Sequence, residues 1–147
     1  MKKIFFALAA FAAMTACVKD EQNPDALVPE KEPEIVYDYS KLVLNELCGA
    51  GEDNEKYWEL YNTGSQEIDL AGVFINKDEE LAWTGAKGQK IPAKGFFAIV
   101  GAKGTTPDGF SSGFSAKKSV LVELYAPDGK KLDTFQRGEK GSAWGDQ

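Results

Sequence analysis

The sequence predicts an all-β fold, an antiparallel sandwich or barrel, from Lys41 onward. Short apolar or aromatic runs follow one another, separated by Gly, Pro, Asn and Asp at spacings typical of such folds. The separating segments carry residues suited to tight turns. No segment shows the sustained apolar periodicity of a helix.

The predicted strands cover 42–47, 57–62, 68–70, 73–76, 81–83, 96–101, 120–125 and 132–136. The clearest turn is Ala126-Pro127-Asp128-Gly129-Lys130, because proline presets one turn dihedral and glycine accepts a positive φ. We expect this turn to close a hairpin between the last two strands. In contrast, the Gly-, Ser- and Thr-rich stretch 104–115 is predicted to be a loop.

The stretch YWELYN, residues 57–62, alternates in a way that assigns its two faces. Side chains along a strand point to opposite sides in turn, so Trp58 and Leu60 are predicted to face the core. Tyr57, Glu59 and Tyr61 then lie on the other face, where we expect Glu59 to pair with a lysine on a neighbouring strand. The same reasoning places Val120, Val122 and Leu124 inward and Glu123 outward.

Four motifs, LVLNE (42–46), WELYNTG (58–64), IDLAG (68–72) and IPAKG (91–95), occur in an order and spacing that resemble lamin tail domains. The resemblance implies an immunoglobulin-like β-sandwich. Such domains accompany nucleases, phosphatases and other surface modules in bacterial exported proteins, but a fold does not transfer an activity. The motif positions singled out are Asn45, Glu46, Trp58, Glu59, Leu60, Asn62, Gly64, Leu70 and Gly72.

Among these motif residues we expect structural roles for the asparagines and glycines. An Asn at a strand end can bond its side chain to nearby backbone or adopt a left-handed turn, and Gly64 and Gly72 fit the same account. Family members usually continue beyond the region of 138–144, whereas this chain stops at Gln147. We therefore expect the domain, 41–147, either to be a fragment or to lack a final edge element.

The first sixteen residues have the features of an export signal. Lys2 and Lys3 precede the apolar run 4–13, which is shorter than the roughly 20 residues of a membrane-spanning helix. Met14-Thr15-Ala16-Cys17 resembles the lipobox of bacterial lipoproteins, which implies cleavage between Ala16 and Cys17 and lipid attached to Cys17. The alternative is an ordinary secretory signal in which Cys17 is incidental.

The segment 17–40 is predicted to be a solvated tether. It holds three prolines, and its seven acids run from Asp20 to Asp38, with almost no bulky apolar side chains. The run Val18-Lys19-Asp20-Glu21 resembles the surface-export signal of Bacteroidetes lipoproteins. We therefore expect an outer-membrane lipoprotein displayed on the cell surface, with anchoring that faces the periplasm as the alternative.

The charge of the chain argues against a nucleic-acid partner, and its cysteine content argues against a disulfide within the chain. The formal net charge is -6, and removal of the two signal-peptide lysines leaves about -8, with no basic cluster. Nucleic-acid binding needs the opposite sign, so no nucleic-acid partner is expected. With Cys17 lipidated, Cys48 has no partner for a disulfide within the chain and is expected to act as an inert small hydrophobe.

Catalysis is not expected, because the chain contains no histidine and so lacks the usual nucleophile and zinc arrangements. The acids Glu46, Glu59, Asp69 and Asp133 remain as carboxylate candidates, but a carboxylate pair needs a cleft that desolvates one acid. No cofactor is expected. The loop 49–55, with Glu52, Asp53, Asn54 and Glu55, is the best calcium candidate, although it lacks EF-hand spacing and a solvated loop is the alternative.

The aromatics Trp83, Phe110, Phe114 and Trp144 stand in Gly-rich or weakly patterned segments. They are candidates to stack on a sugar or peptide, and filling of the sandwich ends is the equal alternative. The sequence therefore predicts a lipid-anchored, non-catalytic module that binds a protein or glycan at the surface. The alternatives are the appendage of a truncated surface enzyme, of nuclease or phosphatase type, and a glycan-binding or structural envelope protein.

Overall fold

A computed structural model of the chain describes residues 35–102, 109–111 and 114–139. The expected signal peptide, Cys17, most of the tether and Trp144 lie outside these residues. Two short 3-10 helices, Tyr39–Lys41 and Asp53–Glu55, accompany the strands. The strands are β1 (Leu42–Cys48), β2 (Tyr57–Asn62), β3 (Ile68–Asp69), β4 (Phe74–Lys77), β5 (Glu80–Thr84), β6 (Lys90–Ile91), β7 (Phe96–Ala102), β8 (Gly109–Ser111), β9 (Val120–Tyr125) and β10 (Lys131–Arg137).

The strands form two four-stranded sheets and one small ribbon. The first sheet has the order β1-β2-β7-β8, the second has the order β10-β9-β4-β5, and β3 pairs with β6. Every described pairing is antiparallel except that of β7 with β8, which is parallel. The predicted all-β, immunoglobulin-like sandwich is therefore confirmed.

The core lies between the inward faces of the two sheets, as the alternation in β2 and β9 predicted. Trp58 and Leu60 of β2 are fully buried, and so are Val122 and Leu124 of β9. The Trp58 ring stacks on Phe110 of β8 with centroids 3.8 Å apart. Burial of such large side chains supplies most of the driving force that holds the sheets together.

The hairpin between β9 and β10 forms at the predicted turn. The Ala126 N–H donates to the Lys130 carbonyl at 2.9 Å, and the Gly129 N–H donates to the Ala126 carbonyl at 2.9 Å. Gly129 has φ +83°, which glycine adopts without the steric cost that a Cβ adds. The turn residues thus fix the register in which β10 continues the second sheet.

Two short strands were missed by the sequence analysis. β6 has only two residues, and β8 has three residues inside the stretch that was predicted to be a loop. Segments of this length carry too few positions for an alternation to be read. Their pairing partners, β3 and β7, provide the ordering that local sequence does not.

The folded domain begins earlier than the predicted boundary at residue 41. Tyr37 and Tyr39, assigned above to the tether, pack against the core. The Tyr39 hydroxyl also donates to the Asp69 carbonyl at 3.1 Å. The last residues of the expected tether therefore belong to the sandwich.

The turn between β4 and β5 places two residues other than glycine in the left-handed region. Asp78 has φ +53° and Glu79 has φ +72°. Two-residue hairpin turns with positive φ at both positions strongly favour glycine at the second one. The Asp78 side chain compensates in part, since its Oδ1 accepts from the Leu121 N–H at 3.0 Å and so extends the pairing with β9.

Replacing Glu79 with glycine is expected to raise the free energy of unfolding by about 0.5 to 1 kcal/mol, because the strain of a Cβ at positive φ is removed. Urea denaturation followed by circular dichroism measures the change. Glu80→Gly, one residue further into β5, is the matched control and should destabilise the protein. Equal destabilisation by both variants would contradict the strained-turn account.

Candidate binding surfaces

The outward face of the first sheet carries an acidic and apolar surface centred on β2. Tyr57, Glu59 and Tyr61 alternate with the buried Trp58 and Leu60, as predicted. On β7 the cross-strand partners of these outward residues are Val100, Ala98 and Phe96. We call this surface the acidic-aromatic face; its residues are Glu46, Tyr57, Glu59, Tyr61, Phe96, Ala98 and Val100.

One end of the acidic-aromatic face is an aromatic pair. The rings of Tyr61 and Phe96 stack with centroids 4.7 Å apart and an interplanar angle of 23°. Phe96 nevertheless remains 55% exposed, and Val100 at the other end of β7 is 39% exposed. The strand therefore presents large apolar side chains to solvent at both ends of the face.

Glu59 has a different partner from the lysine that the sequence analysis expected. Its Oε1 accepts a hydrogen bond of 2.7 Å from the Asn45 side-chain amide of β1. A register shift between Leu44 and Glu46 places Asn45 at a β-bulge and sets Glu46 opposite Glu59. The expected lysine pairing is wrong because the bulge brings a neutral donor and a second carboxylate to this position.

Glu46 is engaged by the neighbouring tyrosine. A hydrogen bond with Glu46, followed by desolvation and the charge of Glu46, raises the pKa of Tyr57 to about 12. The neutral hydroxyl of Tyr57 is therefore stabilised as the donor to this carboxylate. The acidic-aromatic face thus holds two carboxylates whose hydrogen-bond donors in the described part of the chain are both uncharged.

Three of the four candidate stacking aromatics are buried, so their proposed role as exposed ligand contacts is wrong. Trp83 is 2% exposed, Phe110 is 0% exposed and Phe114 is 1% exposed. Phe110 and Phe114 pack against Trp58, stacked and edge-on respectively. These rings fill the sandwich, which was the alternative reading, and Trp144 lies outside the described residues.

The loop that was the calcium candidate closes on itself through a capping box. The Glu52 N–H donates to Oε2 of Glu55 at 3.0 Å, and the Glu52 side chain accepts from the Glu55 N–H. This arrangement engages both glutamates with backbone donors. In the described ranges, no three His, Cys, Asp or Glu residues are grouped in a way that could hold a metal ion.

Asn62 has the structural role predicted for it. It is fully buried, and its Nδ2 donates to the carbonyls of Gln66, Pro92 and Ile91 at 2.7, 3.1 and 3.3 Å. Its Oδ1 accepts from the Gly64 N–H at 2.8 Å. One amide thus joins the end of β2, the following loop and β6.

The two motif glycines are required for different reasons. Gly72 has φ +78°, the left-handed conformation that was expected. Gly64 is not among the positive-φ residues; a Cβ there would lie 3.0 Å from Asn62 Oδ1 and 3.1 Å from Lys41 Cγ. Gly64 is therefore explained by close packing against the Asn62 amide.

The remaining motif and candidate residues serve the fold. Leu70 is fully buried, and Cys48 is half-buried at the end of β1 rather than in the core. The Asp69 carboxylate accepts from the Ala71 N–H at 2.8 Å. Asp133 of β10 accepts from the Leu44 N–H of β1 at 2.9 Å and so links the two sheets at one edge.

A shallow cleft lies beside Asn62, with a cavity volume of about 230 Å³. It is smaller than the roughly 300 Å³ at which small-molecule sites usually begin. Its charged side chains are already paired: Asp38 with Lys41 at 3.9 Å, and Glu67 with Lys90 at 2.8 Å. The cleft therefore offers neither a desolvated carboxylate nor a free cation. Its lining residues are Asp38, Lys41, Asn62, Gly64, Ser65, Gln66, Glu67 and Ile68.

The sequence profile of the Lamin Tail Domain family matches residues 36–139, which span most of the chain. The chain belongs to the lamin tail domain family. This family is non-catalytic and immunoglobulin-like, in agreement with the sandwich described above and with the earlier start of the lamin tail domain at Tyr37. No curated protein matches the chain significantly.

The apolar half of the acidic-aromatic face was missed by the sequence analysis. The stretch FFAIV, residues 96–100, is apolar at every position, and only Phe97 and Ile99 turn inward. A continuous apolar run reads as a strand buried on both sides, so the exposed positions give no alternation. The exposed positions of β7 could have been identified from its pairing with β2, because the outward residues of β2 are recognisable from their alternation.

Proposed function

We propose that this lamin tail domain protein is a non-catalytic module that binds another protein at the outer surface of the cell envelope. The observation that carries the proposal is the acidic-aromatic face, which leaves Phe96 and Val100 exposed on a well-packed sheet. Exposed apolar patches with a polar rim are typical of protein-interaction sites. A protein partner is favoured over a glycan because the candidate stacking aromatics among the described residues are buried.

The absence of catalysis in this proposal follows from how the acids are used. Each of the four carboxylates considered above has a hydrogen-bond partner on the fold or on the acidic-aromatic face. The one cleft detailed above is shallow and contains Asp38 and Glu67 already paired with lysines. General acid-base chemistry needs a carboxyl group whose pKa a cleft has shifted, and this arrangement does not favour one.

Lipid on Cys17 is the proposed anchor, and residues 18–34 the proposed spacer that holds the sandwich away from the membrane. Two or three acyl chains hold a protein stably on a bilayer, at about 0.8 kcal/mol for each buried methylene. Within residues 35–102, 109–111 and 114–139 the structure contains no helix with the length and apolar character of a membrane span. The proposed anchor rests on the sequence around Cys17.

Replacing Cys17 with alanine is expected to release the protein from membranes and to abolish incorporation of labelled palmitate, because the thioether to the lipid can no longer form. Fractionation and autoradiography measure both effects. Cys48→Ala is the matched control and should behave like the parent, since Cys48 lies in the folded domain. Retention of the Cys17→Ala variant in the membrane with undiminished palmitate label would refute the lipid anchor. Outward display is a separate claim, and protection of the parent protein from protease added to intact cells would refute it.

A further inference from the structure

The two outer faces of the sandwich are alike in aromatic content but differ in charge balance. Phe74 and Tyr125 stack on the second sheet at 4.8 Å, much as Tyr61 and Phe96 stack on the first at 4.7 Å. On the second sheet the neighbouring Glu123 is neutralised by Lys131 at 2.6 Å. On the acidic-aromatic face, Glu46 and Glu59 have no lysine or arginine partner among the described residues.

Glu46 and Glu59 are cross-strand partners on β1 and β2. Like charges in this relation are unfavourable, and a lysine at either position would relieve the repulsion. Each carboxylate also retains acceptor capacity, since it has about four lone-pair sites and its donors described above are single neutral groups, Asn45 and Tyr57. The pair therefore favours the arrival of an external cation.

The apolar residues beside this pair make the surface suitable for a side chain with both a charge and a flat apolar body. Phe96 and Val100 project from one face of β7 on either side of Ala98, the cross-strand partner of Glu59. A guanidinium stacks on tyrosine and phenylalanine rings and binds carboxylates with two parallel hydrogen bonds. Arginine fits this combination better than lysine, whose ammonium is a compact point charge.

We propose that the acidic-aromatic face binds an extended segment of a partner protein in which arginine stands between apolar residues. The inference rests on the proposed function and adds the class of partner. Charge complementarity selects this occupant: the chain's own segment 18–34 is rich in acids and has the wrong sign. A second copy docked symmetrically through this face would bring its Glu46 and Glu59 against their counterparts.

Fluorescence anisotropy with the purified full-length protein tests the proposal. The ligand is a labelled synthetic peptide that contains the sequence Val-Thr-Arg-Thr-Val. The control peptide carries uncharged citrulline in place of arginine. We expect saturable binding that weakens as salt is raised and is lost with citrulline. The double variant Glu46→Gln, Glu59→Gln should bind about tenfold more weakly or worse, because charge-assisted hydrogen bonds are lost.

Glu80→Gln is the matched control, since it removes one carboxylate from an exposed position on the second sheet and should leave binding unchanged. Phe96→Ser should weaken binding without a change of charge. Failure of the parent to bind the arginine peptide, or equal binding by the double variant, would overturn the inference. Concentration-dependent dimerisation that Phe96→Ser abolishes would also overturn it, in favour of a second copy.

The proposed function and this inference fail in separable ways. If the Glu46→Gln, Glu59→Gln variant captures a surface protein as well as the parent does, the inference is wrong, but the proposal of a non-catalytic binding module is unaffected. Catalytic turnover of a compound by the purified protein would contradict the proposed non-catalytic function, whether or not the arginine peptide binds. Membrane attachment of the Cys17→Ala variant tests only the lipid anchor. Its outcome does not affect the binding expected for the arginine peptide or for the citrulline peptide.

Discussion

Replacing Trp58 with alanine is expected to lower the free energy of unfolding by about 3 to 5 kcal/mol. The side chain is fully buried and contacts both Phe110 and Phe114, so its loss leaves a cavity between β2 and β8. For a domain whose total stability is about 5 to 15 kcal/mol, this loss unfolds a large fraction of the protein under mild denaturation. Urea titration followed by far-ultraviolet circular dichroism measures it without reliance on the fluorescence of the missing tryptophan.

Two further substitutions control the Trp58 result. Trp58→Phe should cost less than Trp58→Ala, because the phenyl ring refills most of the cavity that alanine leaves. Both variants remove the buried Nε1, which has no hydrogen-bond partner among the described residues, so this donor does not separate them. Tyr57→Ala, on the neighbouring outward position, should cost less again because Tyr57 is only half-buried. If Trp58→Ala melts with the parent while Tyr57→Ala is unstable, the facing of β2 is inverted.

Replacing Asn62 with aspartate is expected to destabilise the protein by about 3 to 5 kcal/mol at neutral pH, although the two side chains have nearly the same shape. The amide donates to three carbonyl oxygens, and a carboxylate oxygen in its place would repel all three. The new carboxyl group would have a pKa above its unfolded value. Its penalty is therefore largest at neutral pH and diminishes as the pH falls through that raised pKa, because the protonated group is neutral and can donate one hydrogen bond.

Asn54→Asp is the matched control for Asn62→Asp, since it makes the same chemical change at an exposed loop position. Surface substitutions of this kind usually stay within about 0.5 kcal/mol. Urea titrations of both variants at neutral and acid pH give the comparison. Equal stability of the two variants at neutral pH would show that Asn62 does not hold the loop and β6 through its amide.

The strand facings were predictable where the two sides of a strand differ in polarity. In β2 the buried Trp58 and Leu60 alternate with a carboxylate and tyrosines, and in β9 valines and leucine alternate with Glu123. The β9-β10 hairpin was predictable because Pro127 and Gly129 restrict the turn locally. These features depend on neighbours within a few residues, which a single sequence contains.

The remaining features depend on contacts between distant segments. Phe110 stands in a glycine-rich stretch and is buried only because β8 pairs with β7 and places its ring on Trp58. The partner of Glu59 depends on the bulge at Asn45, which shifts the register by one residue and has no local marker in the sequence. Three of the seven residues of the acidic-aromatic face had been assigned to the outward side. Glu46 was missed because of this bulge, and the β7 residues were missed because their continuous apolar run shows no alternation.

The most direct test of the binding surface is an amide chemical-shift map of the isotope-labelled protein titrated with the arginine peptide. We predict that the shifts concentrate on β2 and β7 around Glu59 and Ala98, with β4, β5 and β9 unaffected. Shifts centred on the cleft beside Asn62 or on the second sheet, or no shifts at peptide excess, would contradict the assignment of the acidic-aromatic face as the binding site.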